Sequence, residues 1–582
     1  MMNNISIKTV YLLILLITLP LHSEIRYVSK TGSAQPPYTS WATASDSIQK
    51  CINISSFGDT IYVGNGTYIE QVFMINGLSL IGSGWDSCII DTRTISTSSG
   101  YRTITMKDGC IIDGFHIIVS NSKQGTAIHN PGNYSSPSWC EIKNNKISSA
   151  GWGITMDTYA TIKNNTFDNL RTGIEIYSTT SAIFDSVYGN IFLNMDSRGI
   201  LTSLSGRGII FDNFIQMGAG LPTAIGISSG GLSKIFNNIM IGTNKKGYGF
   251  SAGSPSVPYE VINNVVINFD QGIRTVYPWI IKNNVSIKNT RGIYNVFSTQ
   301  PIVSYNNSWG NIENFTGFIA DSTNLSVDPM FVNEENNDFH LQMYSLLINA
   351  GDPEILDPDS SRSDIGVYGG PLGKSYQYLD YPPKYPTGLA LSIDSTNIYL
   401  SWKKNTESDF SYYTIYSDTI TDFTVSQNNF ISQERENILV YRKPSGVNRI
   451  YFKLTSTDMQ GNESKGSEEI GVELVSTGNE TGTILQEYKL YQNYPNPYNP
   501  STIIPYRIKE GGDVTIYIYD TKGELVEVIV NEYQTAGYHE REFRPKSSNG
   551  YLASGIYFYK IEVKGNNGIP VFRDIKKMIY LK

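Results

Sequence analysis

Between residues 140 and 310 apolar and polar positions alternate in short bursts, and the bursts recur. The clearest marker is a polar pair ending in asparagine: Asn144-Asn145, Asn164-Asn165, Gly189-Asn190, Asp212-Asn213, Asn237-Asn238, Asn263-Asn264, Asn283-Asn284 and Asn306-Asn307. Successive pairs lie about 23 residues apart, a solenoid period. Two residues before each pair stands Ile142, Ile162, Val187, Ile210, Ile235, Val261 or Ile281, and Ser304 breaks the series. Out of phase runs a second marker: Gly153-Ile154, Gly173-Ile174, Gly199-Ile200, Gly226-Ile227, Gly249-Phe250, Gly272-Ile273 and Gly292-Ile293. Each period therefore holds at least two short alternating strands separated by Gly/Asn turns, with no helical spacing.

Leucine-rich and helical repeats need Leu-rich or helix-period segments, and neither occurs here. A parallel β-helix fits: each turn stacks on the last at about 4.8 Å, and like residues form ladders. Asparagine suits the bend because it tolerates left-handed backbone and its amide hydrogen-bonds along the stack. On this reading the ladder is structural.

Composition narrows the picture. Lys+Arg 45 against Asp+Glu 53 leaves a net charge of −8, which excludes a basic nucleic-acid footprint as the main business. Aromatic content of 12% and 52 glycines suit strands and tight turns rather than disorder or a coiled coil. Lys8, the apolar run 10–19 (VYLLILLITL) and Leu21-His22-Ser23 read as an export signal over 1–23, with Glu24 beginning the mature chain. No later apolar run reaches membrane-spanning length, so no transmembrane span is expected in the mature chain. An exported chain meets oxidising surroundings, and the cysteines are Cys51, Cys88, Cys110 and Cys140. The last three head similar segments (CIID, CIIDGF, CEIKNN), which leaves both stacked buried thiols and disulfides open. No CxxC occurs, so neither zinc nor dithiol redox chemistry is indicated.

Arg26-Tyr27-Val28-Ser29, an amphipathic stretch over 45–54, and Gly58-Asp59-Thr60-Ile61-Tyr62-Val63 through Gly66-Thr67-Tyr68 resemble the entrance of the right-handed β-helix (pectin-lyase-like) superfamily. There a helix caps the first turn and blocks an open sheet edge. Val327-Asp328-Pro329-Met330-Phe331, Asp338-Phe339-His340-Leu341, Ile348-Asn349-Ala350-Gly351-Asp352 and Asp364-Ile365-Gly366-Val367-Tyr368-Gly369-Gly370 resemble the closing segment of surface-anchored bacterial β-helix proteins. The β-helix is expected over 24–375.

Leu400-Ser401-Trp402, the stretches 412–417 and 451–458, and Gly461-Asn462-Glu463-Ser464 resemble a fibronectin type III domain. It is expected over 383–476 as a spacer, with Trp402 in its core. Tyr488-Lys489-Leu490-Tyr491-Gln492-Asn493-Tyr494-Pro495-Asn496-Pro497-Tyr498-Asn499-Pro500-Ser501-Thr502, with Gly523, Gly537 and a basic, apolar stretch from Lys576, resembles the type IX secretion C-terminal sorting domain. It is expected over 485–582, and the resemblance implies delivery by the type IX secretion machinery across a bacterial outer membrane, to the surface or the medium. The fold class expected is all-β: a right-handed parallel β-helix solenoid followed by two small β-sandwich domains.

Chemistry is harder to find. Glycoside hydrolysis needs paired carboxylates, and a uronate lyase needs a carboxylate-held cation and a base. From 150 to 310 the acids Asp157, Asp168, Glu175, Asp185, Asp196, Asp212, Glu260 and Asp270 are scattered, and no His lies between His129 and His340. The Asn-Thr-Asp, Asp-Asp and Gly-His-Gly motifs of polygalacturonase relatives are absent. Strand phase turns Thr155, Glu175, Leu201, Ser228, Ser251, Arg274 and Tyr294 outward, with Arg171, Arg198 and Arg291 in the turns. Glu175, Arg274 and Tyr294 are the candidates for binding a sugar chain; an ordinary solvated face is the alternative. Asp352, Asp357, Asp359 and Asp364 form an oxygen-rich loop that suits calcium, or else an Asp-capped closing turn. The function expected is recognition of an extracellular polysaccharide through the β-helix face. A pectin-lyase-like polysaccharide lyase, or a non-catalytic structural surface protein, is the alternative.

Overall fold

The computed structural model describes residues 23–581 except 96–100, 120–124, 133–138, 149–150, 158, 178–184, 203–207, 219–220, 230–232, 253–258, 276–278, 297–299, 475–483, 486–487, 494–495, 499–500, 535–536, 546–551 and 566–567. The expected export signal lies, Ser23 apart, outside the described residues. Two compact units divide the chain, Met1–Asp380 and Tyr381–Lys582.

The first unit winds three strands into each turn, for example Cys140–Lys143, Lys146–Ser148 and Trp152–Met156. Stacked in register, they build sheet A of 12 parallel strands and sheets B and C of 11 each. The fold is a right-handed parallel β-helix. The third strand per turn, that of sheet B, follows directly on the Asn bend and is often three residues long, too short for alternation to announce it.

Inside, like residues stack on like. Ile142, Ile162, Val187, Ile210, Ile235, Val261 and Ile281 occupy one row of sheet A, fully buried, each contributing roughly 1.5–3 kcal/mol of burial. Phe167 and Phe192 stack at 4.5 Å. The glycine before each inward residue is there for closeness: a Cβ on Gly173 would lie 2.5 Å from the Phe192 ring and 2.7 Å from the Gly199 carbonyl oxygen.

The paired polar residues divide their work. The first takes left-handed backbone, with φ from 52° at Asp212 to 64° at Gly189. The second points inward and is buried, and its Nδ2 donates to the Oδ1 of its counterpart on the next turn, as Asn213 does to Asn238 at 2.9 Å. The last pair differs from the sequence expectation. Tyr305 holds the left-handed position (φ 57°), Val303 is the inward residue, and Asn306 rather than Asn307 receives the bond from Asn284. Ser304 therefore does not interrupt the series; the bend accepts a tyrosine one position earlier than an Asn-Asn search looks.

The helix Ile48–Ile52 buries Ile48, Cys51 and Ile52 against the first turn. At the other end, Phe331, Phe339, Leu341, Leu347, Ile365 and Val367 lie on the outer face of sheet B against Val265, Ile267, Val285 and Ile287. Bend asparagines fasten this closing strap: Asn237 Nδ2 donates to the Val367 and Gly369 carbonyls, and Asn263 Nδ2 to those of Asp364 and Gly366. All four cysteines are free and buried. They do not share one ladder: Cys88 opens a sheet B strand, whereas Cys110 and Cys140 neighbour one another in sheet A. Similar flanking residues conceal that the CIID of Cys88 sits one sheet further round its turn.

In the second unit, a three-stranded and a five-stranded antiparallel sheet enclose Trp402, Tyr413, Phe452 and Leu454. A second core, around Tyr506, Ile516, Tyr559 and Met578, lies between a three-stranded and a four-stranded sheet.

Candidate functional site

The outer face of sheet C carries the densest chemistry of the solenoid. One outward row runs His129, Thr155, Glu175, Leu201, Ser228, Ser251, Arg274 and Tyr294, one residue per turn. Three positions earlier on each strand a parallel row runs Trp152, Thr172, Arg198, Ile225, Tyr248, Gln271 and Arg291. Asp157 and Tyr177 stand two residues beyond Thr155 and Glu175, in the same outward phase.

Over five consecutive turns these rows bring together Arg102, His129, Asp157, Glu175, Tyr177 and Arg198. His129 Nδ1 and Thr155 Oγ1 are 2.7 Å apart. Burial, then the positive charge of Arg102, lowers the His129 pKa to about 4, so its ring is neutral near pH 7. Glu175 is buried and hydrogen-bonds the Tyr177 hydroxyl; burial first, then this carboxylate, pushes the phenol well above its ordinary range. Burial raises the Asp157 carboxyl as well, with Arg102 opposing and Glu175 adding to the shift. Arg198 Nε is shielded from solvent and has no hydrogen-bond partner among the described residues.

Further along, Arg274 lies beside Tyr294 in register, but its guanidinium leans the other way, 5.2 Å over the Tyr248 ring, and donates to Ser251 Oγ at 3.2 Å. The Tyr294 ring is covered instead by Arg291, 4.9 Å from its centroid. Gln271 Oε1 is another shielded atom without a partner among the described residues. Glu175, Arg274 and Tyr294 thus share one face, with Glu175 four turns from Arg274. The sequence reading gave no site role to His129 or Tyr177 and counted Asp157 only among scattered acids; following the outward phase past each strand end brings in Asp157 and Tyr177.

The four closing aspartates take separate partners. Asp352 pairs with Lys282 at 2.5 Å, and this side-chain hydrogen bond opposes the effect of burial and holds its carboxyl below the usual range. Asp357 accepts the Gly370 and Asp364 N–H groups, Asp359 the Ser361 N–H and hydroxyl, and Asp364 the Asn349 N–H and Tyr378 hydroxyl. Among the described residues no three of these carboxylates converge to within 4.8 Å.

Residues 52–253 match the family described as periplasmic copper-binding protein (NosD), and residues 492–570 match the secretion system C-terminal sorting domain. The chain carries a type IX secretion sorting domain. It is exported across the outer membrane, to the cell surface or beyond. Among the described residues no helix is long and apolar enough to cross a membrane. Similar solved structures include the pectate lyase Pel9A, at 15% identity over 60% of this chain and 96% of that one, with a TM-score of 0.38. A complex of XylC with xylose is 12% identical over 79% and 99%, with a TM-score of 0.35. The pectin methylesterase PemA from Erwinia chrysanthemi is 15% identical over 45% and 82%, with a TM-score of 0.23. Likenesses of this size say nothing about activity. No curated protein matches the chain.

Proposed function

We propose that this exported protein recognises an acidic extracellular polysaccharide laid along the outer face of sheet C. The observation that carries the reading is the set of arginines on one face, Arg102, Arg198 and Arg291 in one outward row and Arg274 in the row beside it. Guanidinium groups suit carboxylates through paired N–H donors; Tyr248 and Tyr294 pin Arg274 and Arg291 by stacking, and Trp152 pins Arg171 in the neighbouring turn. From Arg102 to Arg291 the face runs roughly 38 Å, the length of several sugar residues. The copper binding named for the matched family is not part of this reading. All four thiols are buried, and burial pushes Cys51 to about 12 and Cys88 and Cys110 to about 11.

A specific set of residues on one face favours cleavage as the second reading: a neutral His129 one turn before Asp157 and two turns before Glu175, the two carboxyls interacting with each other. One experiment separates the two. The full mature chain is passed over an array of acidic and neutral polysaccharides and read for retention and for new chain ends. Retention on acidic members, weakening with salt, supports recognition. New ends on a retained glycan favour cleavage, and no retention on any acidic member refutes both.

A further inference from the structure

The outer face of sheet A opens with aromatic rings. In its first two strands, Ile25–Val28 and Thr60–Val63, the residues Val28, Ile61 and Val63 enter the core. Strand phase therefore turns Tyr27 and Tyr62 outward, side by side in register. Their rings lie 6.1 Å apart with 26° between the planes. Trp41, from the segment between the two strands, packs against Tyr27 at 4.6 Å and 53°. Trp41 is 50% exposed and Tyr62 37%. Single exposed rings are ordinary; three in contact on one face of a sheet form an apolar patch of the kind that binds something.

The rings are held in place before any ligand arrives. A Cβ on Gly64 would lie 3.2 Å from Trp41 Cζ3, so the glycine lets the indole settle on the backbone of the second turn. Tyr27 is fixed on both sides, its N–H donating to the Tyr38 carbonyl at 2.8 Å and its carbonyl accepting from Ser45 N at 2.9 Å. Polar groups border the rings. Ser83 is the neighbour of Gly64 one turn on, since their N–H groups donate to the carbonyls of Val63 and Val28. Its hydroxyl donates to Asn65 Oδ1 at 2.6 Å, both residues are exposed, and the amide keeps Nδ2 as a donor. The charges of these strands are engaged elsewhere: Arg26 is buried and pairs with Glu24 and Asp59, and Lys30 lies 4.3 Å over the Tyr68 ring.

We propose that this entrance face of sheet A is a second glycan site, which takes an uncharged polysaccharide: Trp41, Tyr27 and Tyr62 stack against its pyranose rings, and Asn65 and Ser83 bond its hydroxyls. A pyranose is apolar on its C–H faces and polar around its rim, and an aromatic platform with an amide and a hydroxyl at its border matches both. Neutral ligands follow from the charge pattern. On sheet C, guanidinium groups are offered outward to carboxylates; here Arg26 lies buried and paired, and the exposed groups beside the rings are uncharged. The two sites therefore answer differently to salt. Binding to the arginines weakens as salt screens it, whereas stacking and neutral hydrogen bonds persist. The fixed rings also spare the ligand the cost of ordering them.

The test is affinity electrophoresis of the full mature chain through hydroxyethyl cellulose, xyloglucan, galactomannan and soluble starch, at low and at high salt. The parent is expected to be retarded by at least one of the four, equally at both salt concentrations. Trp41→Ala and Tyr62→Ala should each weaken that retardation about tenfold or more, the loss of one ring's apolar contact. Passage of the parent through all four without retardation overturns the site, as does retardation that salt abolishes or that both variants keep. Should Trp41→Ala fail to fold, oxidative footprinting of the parent decides. The retarding glycan should protect Trp41 and leave Trp139, exposed further along the solenoid, as reactive as before; equal reactivity of Trp41 with and without the glycan refutes the proposal. A parent dimer in sedimentation that Tyr62→Ala dissolves would assign the rings to a second copy of the chain and overturn the glycan.

Discussion

Replacing Asn213 by alanine cuts the ladder at mid-length. Its Nδ2 donates to the carbonyls of Val187 and Phe211 and to Asn238 Oδ1, each at 2.9 Å. Its Oδ1 accepts from the Asn190 backbone N–H at 3.1 Å and from Asn190 Nδ2 at 3.0 Å. Five hydrogen bonds are lost at about 1 kcal/mol each net, and the buried Asn190 N–H is left without an acceptor at about 1–3 kcal/mol, part of it already counted. A loss of roughly 4–6 kcal/mol results, a large share of the usual stability of a domain. Asn324, half-buried at the end of the ladder, offers the comparison; its alanine variant should cost about half as much, because water replaces part of what is removed. Asn213→Asp keeps an acceptor but turns a charge toward carbonyl oxygens, so it should be worse than alanine at pH 7 and recover partly in acid. Guanidinium unfolding followed by circular dichroism measures all three. An Asn213→Ala chain within about 1 kcal/mol of the parent would refute the claim that the ladder holds the turns together.

Other outcomes follow from the same structure. Removing 485–582 should leave the protein in the periplasm of a host with the type IX pathway while the β-helix still folds, since each turn contacts only its neighbours; fractionation of the host checks this, and unchanged delivery contradicts it. Gly173→Val should destabilise by about 3 kcal/mol or more, because its Cβ meets the Phe192 ring and the Gly199 carbonyl; a neutral effect in thermal unfolding contradicts the packing. Burial raises Asp357 to about 6, with the Gly370 N–H opposing, so its support for the closing strap should fade as pH rises from about 4 through about 6. The stability advantage of the parent over Asp357→Asn should therefore shrink over that range, and an advantage that grows contradicts the sign.

The solenoid was legible because its bends repeat: a left-handed position followed by an inward amide leaves a mark in every turn, at Asn164-Asn165 as at Asn283-Asn284. The sheet B strands were not, since three residues such as Lys146–Ser148 are too few to show a period. The outward rows of sheet C followed from strand phase, yet phase says nothing of where a long side chain leans. Arg274 stacks on Tyr248 rather than on Tyr294, a choice made by packing between turns. Asp157 and Asp185 stand among the scattered acids of the sequence without a role, and Tyr177 has none either: Asp157 and Tyr177 lie just past the strand ends, and nothing in the order of residues says that the Asp185 carboxylate will be folded into the core.

The central claim is that sheet C is the glycan-binding face. Affinity electrophoresis through an acidic polysaccharide, comparing the mature parent with Arg198→Ala/Arg274→Ala and with Lys143→Ala/Lys163→Ala, tests it most directly. The lysines stand on sheet A, where Glu141 pairs with both, so their removal changes total charge equally without touching sheet C. The arginine pair should lose most of its retardation and the lysine pair little. Equal retardation of all three, or a loss confined to the lysine variant, would contradict the assignment.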